Sequence, residues 1–233
     1  GGFHLACLPE HAALLRQRKE REGKPLALMC ADLEAARVLC HISRSEEEAL
    51  TSWRRPIVLL RKRDPVPDVL SHTPELGLML PYTPLHYLLM EGFPALVMTS
   101  ANPSDCPVFI GNREAVEGLQ GIADGFLLHN RDIVTRCDDS LLRIFRGKEY
   151  PLRRSRGYVP QPLEVPVPVQ GLLACGAEQK AGFALGKGQD ILLSQHIGDL
   201  KNMETLEHYE TQLHHFRTLF GVEVEGLACD LHP

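Results

Sequence analysis

The sequence predicts an α/β protein built in two units, on three observations. Short apolar runs alternate with amphipathic helical stretches from Phe3 to Leu128, the pattern of strands and helices layered around one core. Four prolines, Pro160, Pro162, Pro166 and Pro168, then fall within nine residues; proline cannot donate to a sheet ladder, so an extended spacer is favoured there over a helix or a central strand. Three apolar runs, a long amphipathic stretch and a fourth apolar run follow. The boundary is expected at the prolines, with units at 1–165 and 166–233.

In chain order, Phe3 to Leu8 reads as a strand and Glu10 to Arg21 as an amphipathic helix, with Ala12, Leu14 and Leu15 on one side and Arg16, Arg18, Lys19 and Arg21 forming a basic face. Lys24-Pro25 breaks it, Leu26 to Cys30 reads as a buried strand, and Asp32 caps a helix running to about Cys40. Ser43 with Glu46, and Ser45 with Glu48, fit the capping-box spacing. Pro56 to Leu60 is the next strand, a proline-rich loop follows to Pro74, and Leu76 to Leu80 leads into Thr83-Pro84, a cap and first helical position for a helix to Glu91. Leu96 to Met98 is a buried strand, Asn112 a cap for Arg113 to Leu119, and Gly125 to Leu128 a strand. Leu141 to Phe145 and Tyr150 to Arg153 form a hairpin around Gly147-Lys148. Past the prolines come strands at Leu172 to Cys175, Gly182 to Leu185 and Ile191 to Ser194, a helix at Met203 to Phe220 and a strand at Gly226 to Cys229. A three-strand meander, a helix and a strand is how a ribonuclease-H-like, ASKHA-type fold opens, although such a fold normally needs more chain than follows Gln170.

Composition excludes several classes. With 44% hydrophobic and 24% charged residues the chain is globular rather than disordered. A formal net charge of −5 argues against non-specific nucleic-acid binding by the whole chain, although basic residues cluster at Arg16 to Lys24 and Arg143 to Arg156. Seven widely spaced cysteines without a C-x-x-C pair fit reduced thiols of a cytoplasmic protein. There is neither an apolar run of membrane-spanning length nor an export leader. Opening on Gly1-Gly2-Phe3 and stopping at Pro233 directly after an apolar run, the chain reads as a fragment at both ends.

The chemistry gathers at Thr99-Ser100-Ala101-Asn102-Pro103-Ser104, directly after the strand Leu96 to Met98. Ligands in open α/β sheets sit beyond the carboxyl ends of strands, and hydroxyls with backbone amides suit phosphate oxygens. The plainer reading is a strand-to-turn cap, since Ser, Asn and Pro form turns anyway. A second polar run, Arg136-Cys137-Asp138-Asp139-Ser140, is placed to return and face it.

These residues reach a known family. Gly1 to Leu5, Lys24 to Met29, Arg54 to Leu60, Leu80 to His86, Thr99 to Asn102, Gly121 to Asn130, Asp138 to Ser140 and Leu152 to Tyr158 together resemble the YrdC-like domain of the hydrogenase maturation carbamoyltransferases, the HypF family. Gly176 to Lys180 and Ser194 to Leu200 resemble the start of that family's Kae/TsaD-like carbamoyl-transfer domain. Each motif alone is weak; their order across both units carries the resemblance.

The resemblance implies an ATP-dependent carbamoyltransferase. The family hydrolyses carbamoyl phosphate, makes carbamoyl adenylate from ATP in the YrdC-like domain, and passes the carbamoyl group to the C-terminal cysteine of the HypE protein, toward the cyanide ligand of the nickel–iron centre. Zinc or iron belongs to the intact family protein, with ligands outside this chain. Attack on the α-phosphorus needs positioning and charge neutralisation rather than covalent help. On the matching positions Ser100 and Asn102 would contact phosphate or the small acyl group, with Thr99 beside them. Ser140 would donate to a phosphate, and Arg136, Arg154 and Arg156 would clamp anions. His4 and Lys24 sit in matching segments. Asp138 and Asp139 would hold magnesium beside the phosphates or form a structural pair that orients arginines. His86 and His129 also match, but a lone histidine is more often an ordinary hydrogen-bonded one. Arg143 and Arg153 are expected to point to solvent, as are His208 and His215. Two departures stand out: Asp105 where a glycine is expected, and Lys180-Ala181-Gly182 where lysine, asparagine and threonine are usual. Two other readings remain: a stand-alone YrdC-type threonylcarbamoyl-adenylate synthase for tRNA modification, and a non-catalytic nucleotide- or RNA-binding module.

Overall fold

Side-chain alternation in four central strands generates two unlike faces on one sheet. In the computed structural model, which describes residues 1–21, 23–63, 66–103 and 106–231, the first unit runs β1 (His4–Cys7), α1 (Ala12–Arg18), β2 (Ala27–Cys30), α2 (Leu33–Leu39), α3 (Arg44–Thr51), β3 (Ile57–Arg61), β4 (Glu75–Met79), α4 (Pro84–Leu89), β5 (Ala95–Ser100), α5 (Asn112–Gly118), β6 (Leu141–Phe145) and β7 (Lys148–Arg153). Among the described residues its sheet has the order β1-β5-β2-β4-β3-β6-β7, parallel only at β2/β4 and β3/β6. Leu28 and Cys30, Val58 and Leu60, Leu76 and Leu78, and Val97 point to one side. There they pack with Ala12 and Leu15 of α1, Ala36 of α2, Ala49 and Leu50 of α3 and Ala115 of α5. The alternate residues Met29, Ile57, Met79, Leu96 and Met98 face the other way and meet Met90 and Tyr82. Successive strand residues point to opposite faces, so α1, α2, α3 and α5 cover one side, and the second carries α4, the cavity and the rest of the chain.

Local signals set the boundaries. Asp32 caps α2 by accepting from the Ala35 N–H (2.8 Å), Glu46 accepts from the Ser43 N–H (2.7 Å) at the start of α3, and Thr83 caps α4 with Pro84 in its first turn. Four local expectations change. The helix expected from Glu10 begins as a 3₁₀ turn at Pro9–His11 and ends at Arg18. Ser45 lies inside α3. Gly111, not Asn112, occupies the cap of α5, and Asn112 instead donates to the His129 carbonyl (2.6 Å). Residues 125–128 form no strand, and Phe126, Leu127 and Leu128 are exposed; an apolar run without a sheet partner stays a loop.

The second unit contains β8 (Leu163–Glu164), β9 (Leu172–Cys175), β10 (Phe183–Lys187), β11 (Asp190–Leu193), α6 (Met203–Phe220) and β12 (Gly226–Cys229). Its sheet order is β12-β9-β10-β11-β8, with β12 parallel to β9 and the rest antiparallel. Asn202 caps α6 and Gly221, at φ 61°, closes it. Phe183, Leu185, Tyr209 and Phe216 form the core beneath the helix. β8 lies ahead of the 165/166 boundary expected from the prolines and is an edge strand of this second sheet. Val165 and Val169, which keep their N–H groups, donate to Gln189 and Gly188 (2.9 and 2.8 Å), while the intervening prolines have none to offer. Val169 runs so close over β10 that a Cβ at Gly186 would collide with its carbonyl oxygen. The spacer is therefore laid down on the second unit.

Candidate functional site

A cavity of about 2410 Å³ opens over the face of the first sheet opposite α1, α2, α3 and α5, with Ala27, Ile57, Gly77 and Met98 in its floor. The second unit supplies the opposite wall through Gly176, Lys180, Ser194 to Asp199 and His208. Two hydrogen bonds fasten the units at its rim: the His196 N–H donates to the Arg154 carbonyl (3.0 Å), and the Gln195 side chain donates to the Arg136 carbonyl (3.2 Å) and to Gln212 Oε1 (2.7 Å). Thr99, Ser100, Asn102, Arg136, Arg154, Arg156, His4, Lys24, Asp138 and Asp139 all line this one cavity. Ser140 does not.

At the carboxyl end of β5, three side chains close on one another. Ser100 Oγ donates to Asn102 Oδ1 (2.8 Å), Lys19 Nζ donates to the same oxygen (2.8 Å) and to the Ser100 carbonyl, and Asn102 Nδ2 donates to the Cys106 carbonyl (2.5 Å). Lys19 is the C-cap of α1 and is only 4% exposed. Burial, seconded by the charge of Arg21, lowers its pKa to about 7; an amine that sheds its charge so easily gains when an anion arrives. The sequence pattern places Lys19 on the basic face of this helix, with Arg16, Arg18 and Arg21. The missed signal is spacing: Ala12, Leu15 and Lys19 fall at i, i+3 and i+7, one stripe of one helix. Thr99 alternates with Ser100, so its side chain follows Val97 and its cross-strand partner Leu5 toward the helix-covered face.

The second polar run is mostly structural. Asp139, its side chain 10% exposed, bonds His4 Nε2 through Oδ2 (3.2 Å) and Arg156 Nε through Oδ1 (2.9 Å). Burial alone would raise its pKa, but the His4 hydrogen bond and the Arg156 charge overcome that and hold the carboxylate ionised, well below the usual range. Both oxygens of Asp139 are engaged by its own neighbours and orient Arg156, as a structural pair would, so a magnesium ion there would share them with His4 and Arg156; Asp138 lines the cavity. Arg156 is heavily engaged as well: Nη1 donates to the Arg54 carbonyl (2.9 Å), Nη2 to the Arg55 carbonyl (2.8 Å), and its guanidinium lies 3.5 Å from the Tyr82 ring centroid. Of its five N–H donors, one on Nη1 is left for a ligand. Ser140 is fully buried, donates to the Arg156 carbonyl (2.9 Å) and accepts from the Ser155 N–H (2.8 Å), so its one proton is unavailable to a phosphate.

Arg136 uses Nε on the Val108 carbonyl (3.0 Å) and Arg154 uses Nη2 on the Tyr158 and Gln161 carbonyls (2.8 Å each), each leaving further guanidinium nitrogens at the cavity wall. Lys24 is exposed at its mouth. Arg153 turns inward to donate to the Asp139 carbonyl (2.9 Å), where alternation had sent it to solvent; a register shift between Leu141 and Leu142 intervenes. His208, expected in a solvated stripe, is 6% exposed.

Compared with known proteins, residues 1–155 match the Sua5/YciO/YrdC family model, described as "Telomere recombination", and residues 168–233 match the HypF Kae1-like domain. The carbamoyltransferase HypF2 of Cupriavidus necator is 42% identical over 259 residues, and HypF of Synechocystis sp. 41% over 241, each covering all of this chain. The chain belongs to the Sua5/YciO/YrdC family and is similar along its whole length to the HypF carbamoyltransferases. It spans about a third of the length of these relatives, 32% and 31%. A crystal structure of full-length HypF in a phosphate- and nucleotide-bound form superposes with a TM-score of 0.95 at 45% identity, covering 100% of this chain and 32% of that one. Sua5 of P. abyssi, solved with L-threonine, shares the fold at a TM-score of 0.60 and 14% identity, over 100% of this chain and 83% of that one. Of the two departures from the HypF pattern, Asp105 lies outside the described residues. At the other, Ala181 is fully buried and a Cβ on Gly182 would come within 3.1 Å of Ser194 Oγ, the atom that accepts from the Phe183 N–H; that contact favours the small residue.

Proposed function

We propose that this chain carries the adenylating site of a carbamoyltransferase, in which a carbamate oxygen attacks the α-phosphorus of ATP, the bond to the β-phosphate oxygen breaks, and pyrophosphate leaves carbamoyl adenylate behind. The observation that supports this most is the Lys19–Ser100–Asn102 cluster at the end of β5, inside a cavity large enough for a nucleotide and a small acyl group. Lys19 meets the nucleotide partly uncharged and becomes charged against phosphate; Arg136 and Arg154 add fixed positive charge around the leaving group. Preorganised donors of this kind stabilise charge in the transition state without covalent participation. No step is assigned to magnesium through Asp139.

In the intact protein the carbamate would come from carbamoyl phosphate and the carbamoyl group would pass to the C-terminal cysteine of HypE during hydrogenase maturation. The second unit forms a wall of the same cavity, which supports a short path between formation and transfer and keeps water from the adenylate. Among the described residues none of the seven cysteines is in a disulfide, which fits a cytoplasmic setting, and no helix is long and apolar enough to cross a membrane.

The experiment is exchange of labelled pyrophosphate into ATP. Exchange that depends on carbamate supports the reading; exchange that requires threonine with bicarbonate would move the chain to threonylcarbamoyl-adenylate chemistry, and nucleotide binding without any exchange would make it a binding module.

A further inference from the structure

One ring in the cavity wall lacks the partners its burial demands. His86, in the first turn of α4, is 8% exposed and lines the cavity. Its Nδ1 is buried without a partner, and no described residue hydrogen-bonds either ring nitrogen. Buried polar groups are nearly always satisfied, and an orphan in a cleft asks for a missing ligand. The ring is not loose. Thr83 accepts from the His86 N–H (3.2 Å), Tyr82 packs edge-on at 4.3 Å between centroids and His4 at 6.0 Å. His4 is the register partner of Ser100 across β1 and β5, and directly opposed residues project to the same face of a sheet. The His86 ring therefore stands one side chain away from the Lys19–Ser100–Asn102 cluster.

We propose that His86 contacts the one-carbon acyl group of the substrate, hydrogen-bonding carbamate while the cluster on β5 and the arginines take the phosphates. The proposal rests on the adenylation reading above and assigns the acyl end of that site. The division follows from charge. Lys19, Arg136 and Arg154 can offset a polyanion, whereas burial, followed by the charge of nearby His4, lowers the His86 pKa to about 4, with Asp139 and Arg156 acting in opposite directions. A neutral imidazole carries one N–H and one lone pair. Carbamate offers amine hydrogens and carboxylate oxygens, so it pairs with either tautomer; a triphosphate, which only accepts, would use half of that capacity. Tyr82 and His4 pack against two sides of the ring and hold it in place.

The test uses the full chain, ATP, labelled pyrophosphate and ammonium carbamate. His86→Phe keeps the aromatic packing and removes both nitrogens. At least a tenfold rise in the carbamate concentration for half-maximal exchange is expected, with the ATP half-saturation changed less than twofold and partial recovery in His86→Asn. Wild-type carbamate dependence in His86→Phe overturns the proposal, as does an equal loss for carbamate and ATP. A second measurement does not need turnover: the His86 ring Cε1–H resonance, assigned by its absence from His86→Phe, should move on adding ammonium carbamate to wild-type protein holding a non-hydrolysable ATP analogue. A stationary resonance at saturating carbamate overturns the proposal. A shift without any exchange in the wild type would uphold the subsite and sink the adenylation reading instead.

Discussion

Lys19 and Asn102, 83 positions apart, share a hydrogen bond of 2.8 Å inside the cavity, and the same amide oxygen also takes the proton of Ser100. One acceptor thus positions both a cation and a hydroxyl. Asn102→Ala removes it, freeing Lys19 Nζ from one of its anchors and Ser100 Oγ from its orientation. ATP affinity is expected to fall at least tenfold, about 1.4 kcal/mol or more, with melting temperature changed little because Asn102 is only half-buried. Isothermal titration decides it; unchanged affinity would mean that the cluster does not meet the nucleotide.

The ionisation of Lys19 should be visible in protons. With its folded pKa lowered to about 7 by burial, against about 10.4 for an unperturbed lysine, the unfolded chain binds more protons than the fold between those values. Stability of the ligand-free protein therefore rises with pH across roughly pH 7 to 10 and is flat below, as far as this group is concerned. Phosphate beside Lys19 restores the charge, so nucleotide binding at pH 8 should take up close to one proton. Titrations in buffers of different ionisation enthalpy measure it, and Lys19→Met should abolish it. A wild-type uptake near zero would refute a neutral Lys19.

Arg156 is predicted to matter to the fold before it matters to any ligand. It bonds Asp139 and two backbone carbonyls and stacks on Tyr82. Removing one partner of a buried pair leaves an uncompensated charge, so Arg156→Ala should cost about 3 to 5 kcal/mol in urea unfolding. Because the Arg156 charge is one of the causes, after the His4 hydrogen bond, that hold Asp139 ionised against its burial, the loss should shrink in acid as the orphaned carboxylate takes a proton. A cost below about 1 kcal/mol would put Arg156 back among the ligand-binding arginines.

How much of this was legible in the sequence depended on whether a residue's role was local. The long helix Met203–Phe220 and the strand Gly226–Cys229 were read to the residue, because a capping asparagine, a sustained stripe and a closing glycine are all neighbours in sequence. The strand-ending turn at Ser100 and Asn102 was equally plain. Ser140 and Arg156 read as ligand groups, and Asp139 as a magnesium ligand or half of a structural pair; what the sequence does not show is the neighbours that engage Arg156 and Asp139, since Arg54, Arg55 and His4 lie up to 135 positions away. Lys19 failed the other way, since a lysine at a helix end is ordinarily solvated and only tertiary packing buries it.

The contact between the two units yields the last prediction. Gln195 is 2% exposed, and its amide nitrogen serves both the Arg136 carbonyl and Gln212 Oε1, so α6 is linked through one side chain to the backbone of an arginine on the opposite wall. Gln195→Leu fills much the same volume but leaves the buried oxygen of Gln212 without its donor, for which about 1 to 3 kcal/mol is expected. The Gln195→Leu/Gln212→Leu double variant replaces both partners by apolar groups and should recover most of that loss. In neither case is the Arg136 carbonyl held, so both variants should bind ATP more weakly by a similar factor while differing in stability. Urea unfolding and nucleotide titration on the three proteins separate the two effects: if affinity recovers together with stability in the double variant, the bond to Arg136 carries no positioning role and the two units merely pack.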